Sequence, residues 1–113
     1  MRGLRAEQLL RRPVVVRGIR LGRIDDVLFD PDGVRIVGFD VLCGDGVHRF
    51  LPFPSATIVD DGIEVASSLT LLDEETLVFY RQQGQSLVDV DELRAAPVGA
   101  TGTAEAGVVA GNG

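Results

Sequence analysis

LGRIDDVLFDPDGVRIVGFDV (residues 21–41) holds two apolar runs on either side of Asp30-Pro31-Asp32-Gly33. Pro31 presets φ and Gly33 accepts a positive φ, so the centre reads as a turn and the flanks as paired strands. Strict alternation from Ile24 would put Asp26 inward and Val27 outward, which is wrong for both side chains. One extra residue at Asp25–Asp26, a β-bulge, returns Ile24, Val27 and Phe29 to one apolar face. One aspartate then accepts backbone N–H groups opened by the bulge. Asp30 caps the turn through its side chain, and Asp32 is solvated. Beyond the turn, alternation places Val37, Phe39, Val41 and Cys43 on one face.

The same reading extends outward. Strands are expected at residues 13–17, 21–30, 34–43, 47–53, 57–60 and 63–67, with turns at "GIR" (18–20) and "GDG" (44–46) and a corner at "PSA" (54–56). "DG" (61–62) predicts a two-residue type I′ hairpin turn. Six short strands in a small chain suggest a closed barrel, which removes exposed sheet edges. The pattern then changes. "LLDEETLVFYRQQG" (71–84) predicts a helix capped by Asp73, with Arg81 in its last turn and Gly84 as a left-handed stop. Leu77, Tyr80 and Phe79 would face the barrel. Residues 86–97 offer an extended piece and a helical turn or two, either a clasp on the barrel or the opening of a second one. The organisation is therefore a basic lead-in (1–12), a barrel (13–68), a helical extension packing on it (69–96) and a disordered Gly/Ala-rich tail (97–113).

Charge divides the chain. Seven arginines and Glu7 leave residues 1–23 at +6, while the remainder carries −12. An acidic whole disfavours nucleic acid, so RNA would have to use the N-terminal patch of Arg2, Arg5, Arg11 and Arg12. The competing reading folds that lead-in against the barrel. Cys43 is the single cysteine, which excludes an intrachain disulfide and fits a reducing cytoplasm. No apolar stretch approaches the length of a membrane span.

No catalytic or metal constellation emerges from spacing. "DPDGVRIVGFDV" (30–41) lacks the Glu of a calcium loop and brings its glycine too early. Asp25 and Asp26, as strand neighbours, should point to opposite faces and so cannot form a carboxylate pair. His48 has no orienting partner nearby in sequence and reads as an exposed strand histidine. Cys43 reads as a buried thiol. Neither a catalytic residue, a metal nor a cofactor is expected.

Residues 21–41, followed by FLPFPSATIVDDGIEVAS (50–67), resemble a PRC-barrel domain, the module named from the H subunit of photosynthetic reaction centres and found also in a bacterial ribosome-maturation factor. The shared features are a strand entering through Leu21-Gly22, an acidic pair before Val27-Leu28, an Asp-rich turn, an apolar strand, a Pro-Phe-Pro-Ser corner and a closing hairpin. The resemblance covers residues 8–68. It implies a mainly β fold, a small, mostly antiparallel barrel of about six short strands, and an adaptor or assembly module rather than an enzyme. The resulting expectation is a bacterial cytoplasmic adaptor binding a protein partner or a second copy of itself. An RNA- or ribosome-associated module using the N-terminal arginines is the alternative.

Overall fold

The hairpin around Pro31–Gly33 organises the computed structural model, which describes residues 3–98. Its two strands are β2 (Ile19–Phe29) and β3 (Ile36–Cys43), and β4 (His48–Pro52) continues the meander. On the other side lie β1 (Pro13–Val16), β6 (Gly62–Glu64) and β5 (Thr57–Val59), giving the order β4-β3-β2-β1-β6-β5. A seventh strand, β7 (Gln85–Ser86), pairs with the end of β2. Among the described residues the one α-helix, α1 (Glu74–Gln83), lies between β6 and β7 in the chain, and short 3-10 turns occupy Ala6–Leu9, Phe53–Ser55, Ser68–Thr70 and Asp91–Ala95.

The architecture is mainly β, as expected, and departs from expectation in one respect. The sheet stays open: β4 and β5 end the path without pairing to each other. It is mostly antiparallel, as expected, with one parallel pair, β1 and β6. Among the described residues its seventh strand is contributed by the extension. The free side of β4 is nonetheless engaged, since Phe50 and Leu72 exchange backbone hydrogen bonds of 2.9 and 2.7 Å. Strand β2 is long enough to take β1 along its first half and β7 at its end, with β3 on the opposite side.

Turn chemistry explains the local geometry. Arg17 and Gly18 carry φ of 49° and 80°, the left-handed pair of a primed two-residue turn joining β1 to β2. The turn therefore lies one residue earlier than expected, at 17–18. Gly33 has φ 71°, and Asp30 Oδ1 accepts from the Val34 N–H at 2.8 Å. Between β5 and β6 the turn residues are Asp60 and Asp61. Neither has positive φ, so the expected type I′ turn is not formed. Gly84 does end α1, but with φ −122° rather than in the left-handed region. Its missing side chain answers a different need, because a Cβ there would collide with the Phe29 carbonyl.

The register between β2 and β3 slips twice. Ile24 faces Val41 and Asp26 faces Asp40, which leaves Asp25 as an extra residue. Ile24, Val27 and Phe29 all lie in the main core with Phe39, Val41 and Cys43. The second slip, between Leu28 and Phe29, sets Val37 against Leu28 and Phe50 on the other face, away from Phe39. The alternation expected through Val37 fails there because one residue of β3 goes unpaired.

Both chain ends of the described region pack together. Leu9 is fully buried, the Ala6 N–H donates to the Ala96 carbonyl at 2.8 Å, and the Val98 N–H donates to the Leu4 carbonyl at 2.8 Å. Pro97 bridges Arg5. Residues 97 and 98, expected in the tail, belong to this packing, and the rest of that expectation, residues 99–113, lies outside the described residues. Leu87 and Leu93 enter the main core, so residues 85–96 close onto this sheet and do not open a second one.

Candidate functional site

The face of β2–β3–β4 turned away from the main core is covered by α1. Leu28, Phe50 and Leu77 form a small buried cluster there, and the Tyr80 ring stacks on Phe50 at 4.5 Å. Phe79, expected to face the sheet, is 54% exposed and meets Tyr80 edge-on. α1 is fixed in place by its cap, with Asp73 Oδ1 accepting from the Thr76 N–H at 3.0 Å.

Beside this cluster lies a polar one. Asp26 on β2 and Asp40 on β3 sit directly opposite each other, with relative exposures of 2% and 4%. Two buried like charges at that spacing would repel strongly. Arg81 of α1 joins them, donating to Asp26 Oδ2 at 2.8 Å and to Asp40 Oδ2 at 2.7 Å. Asp26 Oδ2 also accepts from the Ser86 hydroxyl, and its Oδ1 accepts from the Val27 and Val88 N–H groups at 2.8 and 3.2 Å. The remaining oxygen of Asp40 lies 2.7 Å from His48 Nδ1. Burial pushes the Asp40 carboxyl above its ordinary value, against the opposing pull of His48 and Arg81.

The site differs from the reading of isolated residues. His48 is 36% exposed at its side chain and has a partner, Asp40, across the β3–β4 pair. Asp25 does not point away from Asp26: its Oδ2 lies 3.8 Å from the same His48 Nδ1. The bulge carries the extra residue onto the face of its neighbour, so the alternation rule that separates them fails at this position. Asp26 does accept backbone N–H groups, but it is also a buried ion-pair partner. Asp32 and Pro31 are exposed, and the Pro31 carbonyl accepts from Gln85 Nε2 at 2.8 Å. Asp40 and Ser86 are not among the residues expected from sequence, and Arg81 is expected only as the cation in the last turn of α1.

Arg2 lies outside the described residues. Arg5 pairs with Glu7 at 3.0 Å, and Arg12 donates to the Gln8 and Val59 carbonyls at 3.0 and 2.6 Å. Arg11 is exposed, with φ 71°. Cys43 is buried in β3. Among the described residues, no helix is long and apolar enough to cross a membrane.

The PRC-barrel domain family matches the chain over residues 1–72. That is more than half of its 113 residues, and the chain belongs to the PRC-barrel domain family. Among curated proteins none matches. PRC-barrel domains are generally non-enzymatic and commonly mediate protein interactions. The match carries Asp25, Asp26, Asp40 and His48 but ends before α1, so Arg81 and Ser86 come from beyond it.

Proposed function

We propose that this chain is a non-catalytic interaction module of a bacterial cytoplasm, presenting the outer face of α1 to a protein partner or to a second copy of itself. The observation that carries the reading is the pair Val78 and Phe79, 45% and 54% exposed on a helix whose opposite side is clamped to the sheet. Phe79 rests on Tyr80 and Tyr80 on Phe50, so the exposed ring is backed by packed aromatics. Such a backed apolar residue suits the centre of an interface, with Glu75 and Gln82 at its rim. Strand addition at β4 is disfavoured, because Leu72 already pairs with that edge. A catalytic role is disfavoured because Asp26 and Asp40 are tied up in the clamp.

The test is association of the full chain, in sedimentation and by capture from lysate treated with ribonuclease. Self-association or capture of one defined protein, lost in Val78→Glu/Phe79→Glu, supports the reading. A stable complex should bury roughly 1,000 Å² or more. Association that survives the double substitution overturns the helix face. Capture that vanishes with ribonuclease or with rising salt transfers the function to the exposed arginines and an RNA backbone.

A further inference from the structure

We infer that Asp25, Asp40 and His48 form a site for one divalent transition-metal ion of the zinc class. The three side chains come from β2, β3 and β4, and one ligand atom of each lies within 4.8 Å of the others. His48 Nδ1 is 2.7 Å from Asp40 Oδ1 and 3.8 Å from Asp25 Oδ2. Around an ion with bonds of about 2.0–2.2 Å, neighbouring donors sit about 3–3.6 Å apart. Of the three separations, His48–Asp40 is slightly short, His48–Asp25 is slightly long, and Asp25–Asp40 lies within 4.8 Å. The short one is a hydrogen bond, and the ion takes the place of its proton on Nδ1. The long one closes easily, because Asp25 is 41% exposed at its side chain and has no other side-chain partner among the described residues.

Charge gives a separate reason. Asp25, Asp26 and Asp40 against Arg81 leave two negative charges in excess when the acids are ionised and His48 is neutral. A dication cancels that excess. The support around the ligands also fits. Arg81 holds the second oxygen of Asp40 at 2.7 Å, which orients the carboxylate as outer-shell partners do. Strand backbone fixes all three residues, and partial exposure of Asp25 and His48 leaves the remaining positions to water. An imidazole nitrogen with two carboxylates suits zinc, cobalt or manganese better than calcium or magnesium, which favour all-oxygen sets. The site is independent of the α1 face that carries the interaction reading, and either can fail without the other.

The untagged full chain is titrated with Co²⁺ and with Zn²⁺, followed by calorimetry and visible absorption. One ion per chain is expected, with a weak nitrogen- and oxygen-type cobalt spectrum. Asp25→Asn and His48→Gln, both at partly exposed side chains, should each weaken binding at least tenfold while leaving the circular dichroism unchanged. Asp40 is left intact because it belongs to the buried clamp. The inference is overturned if the wild type shows no saturable binding. It is overturned equally if either substitution leaves the affinity within tenfold of the wild type, or if a sulfur-to-cobalt charge-transfer band reports Cys43 as a ligand.

Discussion

The two faces of the β2–β3–β4 sheet are built on different principles. The inner face is hydrocarbon: Ile24, Val27, Phe29, Phe39, Val41 and Leu51 are all fully buried in one cluster. The outer face divides into a small apolar cluster under α1 and a buried ion cluster beside it. The inner face gains from every apolar atom removed from water, whichever neighbour it meets. The outer face depends on particular atoms meeting, since an unmatched charge there is worse than none. Tolerance should therefore differ between them in kind.

The largest effect belongs to the inner face. Phe39→Ala removes a fully buried ring that also packs against Phe53 at 5.9 Å. It should cost about 3–5 kcal/mol in urea unfolding. A loss under 1 kcal/mol would mean that the inner face is loosely packed, and the contrast between the faces would collapse.

Arg81→Met comes next and probes the matching of charges directly. It leaves Asp26 and Asp40 buried, opposite each other and without their shared cation. The expected cost is roughly 3 kcal/mol, at the low end for a broken buried pair because the Arg81 side chain is itself 34% exposed. The triple variant Asp26→Asn/Asp40→Asn/Arg81→Met should recover at least half of that loss. On the inner face no second substitution of this kind would restore a deleted ring. If the triple variant is instead the least stable of the series, the cluster holds the fold by net attraction rather than by mutual cancellation.

The same contrast explains what the sequence disclosed. The inner face is written in local alternation, and the mismatch at Asp26–Val27 was enough to place the bulge beside Asp25. The turn at Asp30–Gly33 was likewise legible, because Asp-Pro-Asp-Gly admits few backbone paths. Part of the outer face was legible in principle. A turn at residues 44–46 sets Leu42 opposite His48 and Asp40 opposite Phe50. That register puts Asp40 and His48 on one face two residues apart, so writing it out would have given the histidine its partner. Arg81 could not be found that way. It reaches Asp26 across 55 residues, and only the docking of α1 brings them together. Barrel closure was overestimated because regular strand spacing says nothing of how an edge is satisfied, which Leu72 does here for β4.

A smaller effect separates two acids by the sign of their pH response. Hydrogen bonds from the Thr76 N–H and hydroxyl hold the Asp73 carboxyl below its ordinary value. Its stabilisation of α1 is present above the unfolded pKa and is lost as pH falls through the lower folded one. Asp40 runs the other way: with its folded value raised by burial, its contribution declines as pH rises through that value. The advantage in melting temperature of wild type over Asp73→Asn should therefore shrink once pH drops below the usual carboxylate range. A constant difference would show that the cap works equally well without its charge.

The smallest effect is the one that sharpens the comparison most. Asp25 touches the ion cluster only through the 3.8 Å approach to His48, and its charge raises the cost of ionising Asp40 beside it. Asp25→Asn, measured with a chelator present, should change stability by no more than about 0.5 kcal/mol, as for an exposed position with no buried partner. A cost well above that would make Asp25 a third member of the clamp, held by the fold for stability. A neutral result leaves a carboxylate that the bulge brings onto the face of Asp26 and Asp40 without structural return. The two faces would then differ in purpose as well as in material, the inner one serving only the fold and the outer one holding a residue whose use lies in what it binds.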